Sequence, residues 1–390
     1  MDFLTLLEKV TENSSSNPGF KTKISIVIGN ESAASIAYAF LSQQYNPEKA
    51  FLSQQYNPEK GIFLPVLQIP KDELTLRPEC EYVFRRHEMD SDRFIYKEDL
   101  EVVLEGLMKN NELHIVLVDH NKLVPPWDKF ANCVDAILDH HEDEGLYLTA
   151  SPRWIEPVGS ACSLVVLSFP EVWAADQLNG HGRKLANLLL APILIDTVCL
   201  DVSKGRTTEK DQKAANFLLN TLQISDHNAF IAEYYNEIQK ARRNISHLST
   251  HDLLRKDYKE WVIGDVRIGI SSVSLSVQAW LKRDQISTSI NELASYASER
   301  KLDLLIVMTT HTHPQHGFQR DLVVYPFADL LKSQEFISKM EKSDLGLETL
   351  IIDPENEDCR FYRQKNISWS RKQVYPFFRN LIESINVASL

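Results

Sequence analysis

Two short runs hold the densest potential for chemistry. Asp119-His120-Asn121 and Asp139-His140-His141 each begin where an apolar segment ends, so both acidic side chains can reach one rim. Carboxylates and imidazoles clustered in this way are ligands for Mn²⁺ or Mg²⁺. Asp196 directly follows Ile193-Leu194-Ile195 and reads as a third carboxylate at a strand end. Later in the chain, Lys256, Lys259, Arg267, Arg371 and Lys372 offer what a phosphate clamp needs. Arg gives planar bidentate bonds and Lys a mobile point charge. Ser370-Arg371-Lys372-Gln373 places two adjacent charges at the start of an element. His311, His313 and His316 form an HxHxxH pattern, but the spacing is not that of a zinc hydrolase helix and no cysteines accompany it. Gly29-Asn30-Glu31-Ser32 follows an apolar run and is neither GxGxxG nor Walker A.

These residues need a platform. Buried strands are predicted at 24–28, 62–68, 114–118 and 134–138, with helical segments at 35–41, 99–108 and 163–167. A short helix at 1–10 and a polar turn at 13–19 precede them. Strands separated by helices, with polar residues at strand ends, imply an α/β fold with a mostly parallel sheet. Ligand sites of such sheets gather at the carboxyl ends of the strands. After Asp201 the character changes: 204–213 is charged, 217–240 reads as helix, and strands resume from Asp257. A helix is expected at 291–300, a buried strand at 302–308 and strand-like pieces across 359–375. The division is therefore an N-terminal segment (1–22), a first α/β domain (23–205), a linker and helix (206–229) and a smaller α/β domain (230–390), with the active site in the cleft. Tyr258, Trp261 and Trp280 are expected to pack in the core.

The composition narrows the function. The chain has 390 residues, 43% of them hydrophobic and 25% charged, enough for two domains with ordinary cores. A net charge of −12 does not suit general nucleic-acid binding, yet leaves room for a local basic pocket that takes a small polyanion. Five scattered cysteines without a CxxC suggest a reducing compartment. No apolar stretch approaches the roughly 18 residues of a membrane span, and the early acidic residues are unlike a signal peptide, so a cytoplasmic protein is expected. An 11-residue segment, 39–49, recurs unchanged at 50–60. This is too short for a solenoid and lies where a surface loop would absorb it.

Read in order, the blocks Gly29-Asn30-Glu31-Ser32, Val118-Asp119-His120-Asn121, Asp139-His140-His141-Glu142-Asp143, Glu156-Pro157-Val158-Gly159-Ser160, Ala191-Pro192-Ile193-Leu194-Ile195-Asp196-Thr197, Arg255-Lys256-Asp257-Tyr258-Lys259 and Ser370-Arg371-Lys372-Gln373 resemble the DHH phosphoesterase superfamily. In detail the chain is similar to eukaryotic cytosolic exopolyphosphatases, relatives of the manganese-dependent (family II) inorganic pyrophosphatases. The resemblance implies a DHH domain followed by a DHHA2 domain. It also implies release of terminal orthophosphate from linear inorganic polyphosphate with two divalent cations, Mn²⁺ or Mg²⁺, and neither nucleic acid nor membrane as partner. By the same resemblance Asp119, His140 and Asp196 hold metal, with Asp119 bridging. Asp119, His140 and His141 form the catalytic set. His141, Lys259, Arg371 and Lys372 face the substrate phosphates, and Asn30 and Asp139 support the site. Asn30 stands where pyrophosphatases carry a metal-binding His.

One block departs from the pattern. Family members continue Gly-Asn-Glu-Ser-Ala with Asp-x-Asp-Ser, whose aspartates hold the metals, whereas here Ala33 runs into Ala34-Ser35-Ile36-Ala37. The resemblance therefore implies weakened metal binding. The alternatives are a pyrophosphatase or short-chain nucleotide phosphoesterase, and a catalytically silent polyanion-binding protein on the same fold.

Overall fold

The computed structural model describes residues 24–29, 32–44, 62–99, 113–125, 127–174, 181–327, 333–352 and 359–388. The segments expected at 1–10 and 13–19, nearly all of that at 99–108, most of the repeat and Asn30 lie outside the described residues. The chain divides into two compact units, Met1–Arg242 and Arg243–Leu390.

The first unit is built on a six-stranded parallel sheet. Its strands are β1 (Ile24–Gly29), β2 (Ile62–Leu67), β3 (Ile95–Tyr96), β4 (Leu113–Val118), β5 (Val134–Asp139) and β6 (Arg153–Ile155), in spatial order β3-β2-β1-β4-β5-β6. Both faces are buried. Ile26, Ile28, Val66, Ile115, Leu117 and Ile137 pack on one side, and Val27, Leu67, Val116, Val118 and Leu138 on the other. Two buried faces explain why these strands read as continuous apolar runs rather than alternating ones. The register aligns Gly29 with Val118, and Val118 with Leu138. The residues following β1, β4 and β5 therefore emerge on one edge. The strand order reverses between β1 and β4, and at such a switch point the connections diverge and leave a crevice.

Helices cover the sheet: α1 (Ser32–Gln44), α2 (Pro78–Arg86), α3 (Ala161–Ser168), α4 (Pro170–Ala174), α5 (Gly182–Asp196), α6 (Glu209–Thr221) and α7 (His227–Arg243). Two sequence expectations are corrected here. Asp196 does not end a strand; it is the last residue of α5. Short apolar runs do not distinguish a strand from a buried helix, and an internal proline disfavours a helix. Five buried leucines and Ile193 nevertheless hold α5 in the core. At roughly 2 kcal/mol each this outweighs the ~3 kcal/mol cost of an internal proline. The 206–229 segment is also no linker. Ala214, Ala215, Leu218 and Leu219 of α6 are fully buried in the first unit's core, which runs on into α7. The single helix read at 217–240 is two, separated where Gln223 adopts φ +60°.

The second unit comprises α8 (Thr250–Lys256), β7 (Tyr258–Ile263), β8 (Val266–Val273), α9 (Val277–Asp284), α10 (Ile286–Arg300), β9 (Leu304–His313), β10 (Gly317–Pro326), α11 (Gln334–Glu341), β11 (Leu347–Thr349), β12 (Arg360–Gln364) and α12 (Arg371–Ala388). Its sheet order is β11-β12-β10-β9-β8-β7, antiparallel except for β8 with β9. Val374, Phe378, Leu381, Ile382 and Ile385 recur at helical spacing and bury one face of α12. The strand-like reading around 370–373 is therefore replaced by a helix start, where the Gln373 side chain accepts from the Ser370 amide and hydroxyl at 3.0 and 2.9 Å. Trp280 is fully buried, as expected, and donates to Thr250 Oγ1 at 2.8 Å.

Candidate metal centre

The site forms where β4 and β5 end. Asp119 follows β4 at φ +65° and its amide donates to Leu138 O at 2.9 Å, which ties the two strand ends together. Aspartate tolerates this left-handed conformation better than most residues. His140 Nδ1 lies 2.9 Å from Val158 O, so Nδ1 carries the proton and Nε2 faces Asp119 Oδ1 at 3.0 Å. A backbone carbonyl behind an imidazole fixes tautomer and ring orientation, as in metal sites. His141 Nδ1 lies 2.8 Å from Asp139 Oδ1 and 3.9 Å from Asp119.

Asp139 is fully buried and works from behind. It accepts from Asn121 Nδ2 at 2.5 Å and from the His140 and His141 amides at 2.7 and 3.3 Å. Burial opposes its charge, but the bonds from His141, Asn121 and the His140 amide outweigh burial and hold its pKa below the usual carboxylate value. Asn121 also accepts from the Glu144 amide at 2.9 Å, which fixes the next loop. His120 turns back to Val118 O at 3.0 Å, and among the described residues its buried Nε2 has no partner. Burial lowers the His120 pKa, so this ring is neutral at pH 7.

Asp119, His140 and His141 place one ligating atom each within 4.8 Å of one another. This carboxylate and imidazole set fits one divalent cation. In the bare protein, burial disfavours a charged His140, but the Asp119 carboxylate and the Val158 carbonyl overcome it and raise its pKa to about 9. A charged His140 thus pairs with Asp119 at 3.0 Å in the bare protein, and a cation would compete with that proton. Asp196 lines the same cavity, and burial, with repulsion from Asp119, lifts its pKa to about 6. The cavity measures about 600 Å³ and also takes in Pro157, Val158, Gly159, Arg77 and Arg206.

The loop behind the cavity depends on Asp211, which is fully buried in α6. Its carboxylate accepts from the Gly159 and Ser160 amides at 2.8 and 3.2 Å and from Ser163 Oγ at 2.6 Å at the start of α3. It also accepts from the Thr208 amide at 2.8 Å, closing the capping box of α6. One carboxylate thereby staples two helix starts together. Sequence reasoning missed Asp211, Arg77 and Arg206. The pattern Thr208-x-x-Asp211 before an apolar run was a readable cap signal for the first, whereas nothing in the sequence marked the two arginines.

The other expected residues lie in the second unit. Arg371 is oriented by Asp257, with Nη2 2.6 Å from Oδ1 and Nη1 2.9 Å from the main-chain oxygen. Lys259, exposed on β7, is in register with Ile270, whose carbonyl also accepts from Arg371 at 3.4 Å. Lys372 is exposed beside them. His311 is engaged by Gln319 at 3.1 Å, and the His313 and His316 rings stack with centroids 4.7 Å apart.

A parallel sheet with an aspartate and histidine cluster at the ends of β4 and β5, followed by a unit with a mixed sheet, is the two-domain α/β arrangement expected from the resemblance. Residues 236–381 match the model of the DHHA2 domain. A Schizosaccharomyces pombe protein assigned as an exopolyphosphatase is 31% identical over 388 residues, covering 95% of this chain and 93% of its own. Exopolyphosphatase PRUNE1 of Mus musculus is 26% identical over 83% of this chain and 68% of its own. The manganese-dependent inorganic pyrophosphatase of Methanocaldococcus jannaschii is 29% identical over 51% of this chain and 61% of its own. The chain belongs to the DHH phosphoesterase superfamily, in the DHHA2-bearing group that unites these exopolyphosphatases and pyrophosphatases.

Proposed function

We propose that the chain is a metal-dependent phosphoanhydride hydrolase that releases terminal orthophosphate from linear inorganic polyphosphate. The grouping of Asp119, His140 and His141 in one cavity at the switch point carries this reading. Asp119, His140 and Asp196 would hold the cations, Mn²⁺ or Mg²⁺, two of them as in the family, with Asn30 in the supporting role that the resemblance implies. When bound, such cations polarise phosphoryl oxygens and make water acidic enough to attack at neutral pH. The water oxygen bonds to the terminal phosphorus, the P–O bond to the shortened chain breaks, and the proton passes to solvent. The protein's own contribution is orientation and charge. Asp139 fixes His141 through Nδ1 and leaves its Nε2 for a phosphate oxygen. Lys259, Arg371 and Lys372 neutralise charge that builds up on phosphate oxygens.

The absent Asp-x-Asp gives a second reading its footing. Without those carboxylates the chain binds polyanions but turns over slowly or not at all. Five scattered cysteines with no CxxC spacing favour a reducing, cytoplasmic setting; among the described residues no helix is long and apolar enough to cross a membrane. The test is phosphate release from long-chain polyphosphate, pyrophosphate and a dinucleotide with added Mn²⁺ or Mg²⁺. Long polyphosphate is expected to be preferred. A preference for pyrophosphate or the dinucleotide overturns the choice of substrate, and binding of polyphosphate without turnover establishes the silent form.

A further inference from the structure

The cavity holds two groups that the cation site does not use. Arg77 sits at the junction between the 3-10 turn Lys71–Leu76 and α2, on the connection that leaves the carboxyl end of β2. Arg206 follows Gly205, whose left-handed φ of +67° turns the chain between α5 and α6. Both line the same cavity as Asp119, His140, His141 and Asp196. Among the described residues neither guanidinium makes an ion pair. Other arginines of the first unit are engaged: Arg153 with Asp143, and Arg86 with Glu237 at 2.6 Å. In a chain of net charge −12, two exposed arginines that line one cavity and make no ion pair among the described residues are available to an anion.

The backbone beneath both is held. The Arg77 amide donates to Leu74 O at 2.9 Å while its carbonyl accepts from the Cys80 amide at 2.9 Å. The Arg206 carbonyl packs directly on Gly159, 2.6 Å from where a Cβ would stand. The arginines are therefore presented from fixed positions, which limits the entropy lost on binding. At about 600 Å³ the cavity has the volume of on the order of 20 waters, more than one phosphoryl group at the cation site fills.

We propose that Arg77 and Arg206 form a phosphate subsite on the first unit that grips the second and later phosphates of a linear chain and so favours polyphosphate over pyrophosphate. The inference rests on the proposed hydrolase reading for its meaning, but its test does not need turnover. The full chain and its Arg77→Gln, Arg206→Gln, double Gln and double Lys variants are titrated calorimetrically with inorganic tripolyphosphate and with pyrophosphate, in chelator and without metal. Thermal unfolding confirms that each variant is folded; both side chains are exposed, and the single variants carry the test if the double one unfolds. Tripolyphosphate binding is expected to weaken at least about tenfold in the double Gln variant, with pyrophosphate changed less than about threefold and the double Lys variant in between. Equal losses for both ligands, an unchanged tripolyphosphate affinity, or no tripolyphosphate binding by the parent chain overturns the subsite. If the arginines select tripolyphosphate but the parent releases no phosphate with Mn²⁺, the hydrolase reading fails while the subsite stands.

Discussion

At the scale of single residues, proton and cation compete for the same side chains. His140 has its pKa raised to about 9, so in the metal-free protein it is charged through neutral pH and paired with Asp119. Its stabilising contribution is complete below its ordinary value near 6.5 and is lost as pH rises through about 9. A cation must displace that proton. Apparent Mn²⁺ affinity is therefore expected to rise about tenfold per pH unit from pH 6.5 to about 9 and then level, with proton release visible by calorimetry in buffers of different ionisation enthalpy. Asp196 carries the opposite strain. Its pKa of about 6, raised by burial and by Asp119, means that stability falls as pH rises from about 4 to 6 and stays lowered above. Asp196→Asn is expected to stabilise the metal-free chain at pH 7 by roughly 2 kcal/mol in urea unfolding, and to weaken Mn²⁺ binding.

At the scale of elements, the site depends on parts that touch no substrate. A Cβ on Gly159 would stand 2.6 Å from Arg206 O and 2.8 Å from Asp211 Oδ2, both fixed atoms. Gly159→Ala must push the α5–α6 loop away from the α3 start. Asp211→Asn leaves the amides of Gly159 and Ser160 with a weaker acceptor and turns one oxygen into a donor that faces donors. Each substitution is expected to cost about 3 kcal/mol in urea unfolding. The residues after α5 add strain: Val198, Cys199 and Leu200 all have positive φ, rare for bulky side chains. The first helix shows why the missing aspartates are not repaired by simple substitution. Ala33 and Ala34 are buried against the core, so a carboxylate at either position would be desolvated. An Asp-x-Asp-Ser insertion after Ala33, with one copy of the 11-residue repeat removed, is expected to tighten Mn²⁺ binding at least about a hundredfold and to raise phosphate release. Equal activity without the insertion would show that another carboxylate has replaced the lost pair.

At the scale of the whole molecule, the chain carries separate cores. The first unit buries both faces of its sheet, and the second closes α12 and α11 over its own strands. The division falls between Arg242 and Arg243, at the end of α7, rather than at residue 230. Residues 243–390 expressed alone are expected to unfold in one cooperative transition by circular dichroism. A fragment starting at residue 206 should instead expose the apolar face of α6 and aggregate.

The sequence by itself determined the strands and the chemistry at their ends. The short, β-branched apolar runs closed by Asp119 and Asp139 read as buried strands with polar tips, and the ordered motifs resemble the superfamily. It also exposed the gap after Ala33, since a missing side chain is visible without a fold. Local pattern could not decide where an apolar run ending in Pro192-Ile193-Leu194-Ile195-Asp196 belonged, because burial on all sides erases the periodicity that separates helix from strand. Nor could it find Arg77 and Arg206, or the bonds that reach from Asp211 to Gly159, Ser160 and Ser163, because these join segments far apart in the chain. Only the tertiary structure brings the connection after β2 and the loop after α5 to one cavity, at the carboxyl ends of the parallel strands where ligand sites of such sheets gather.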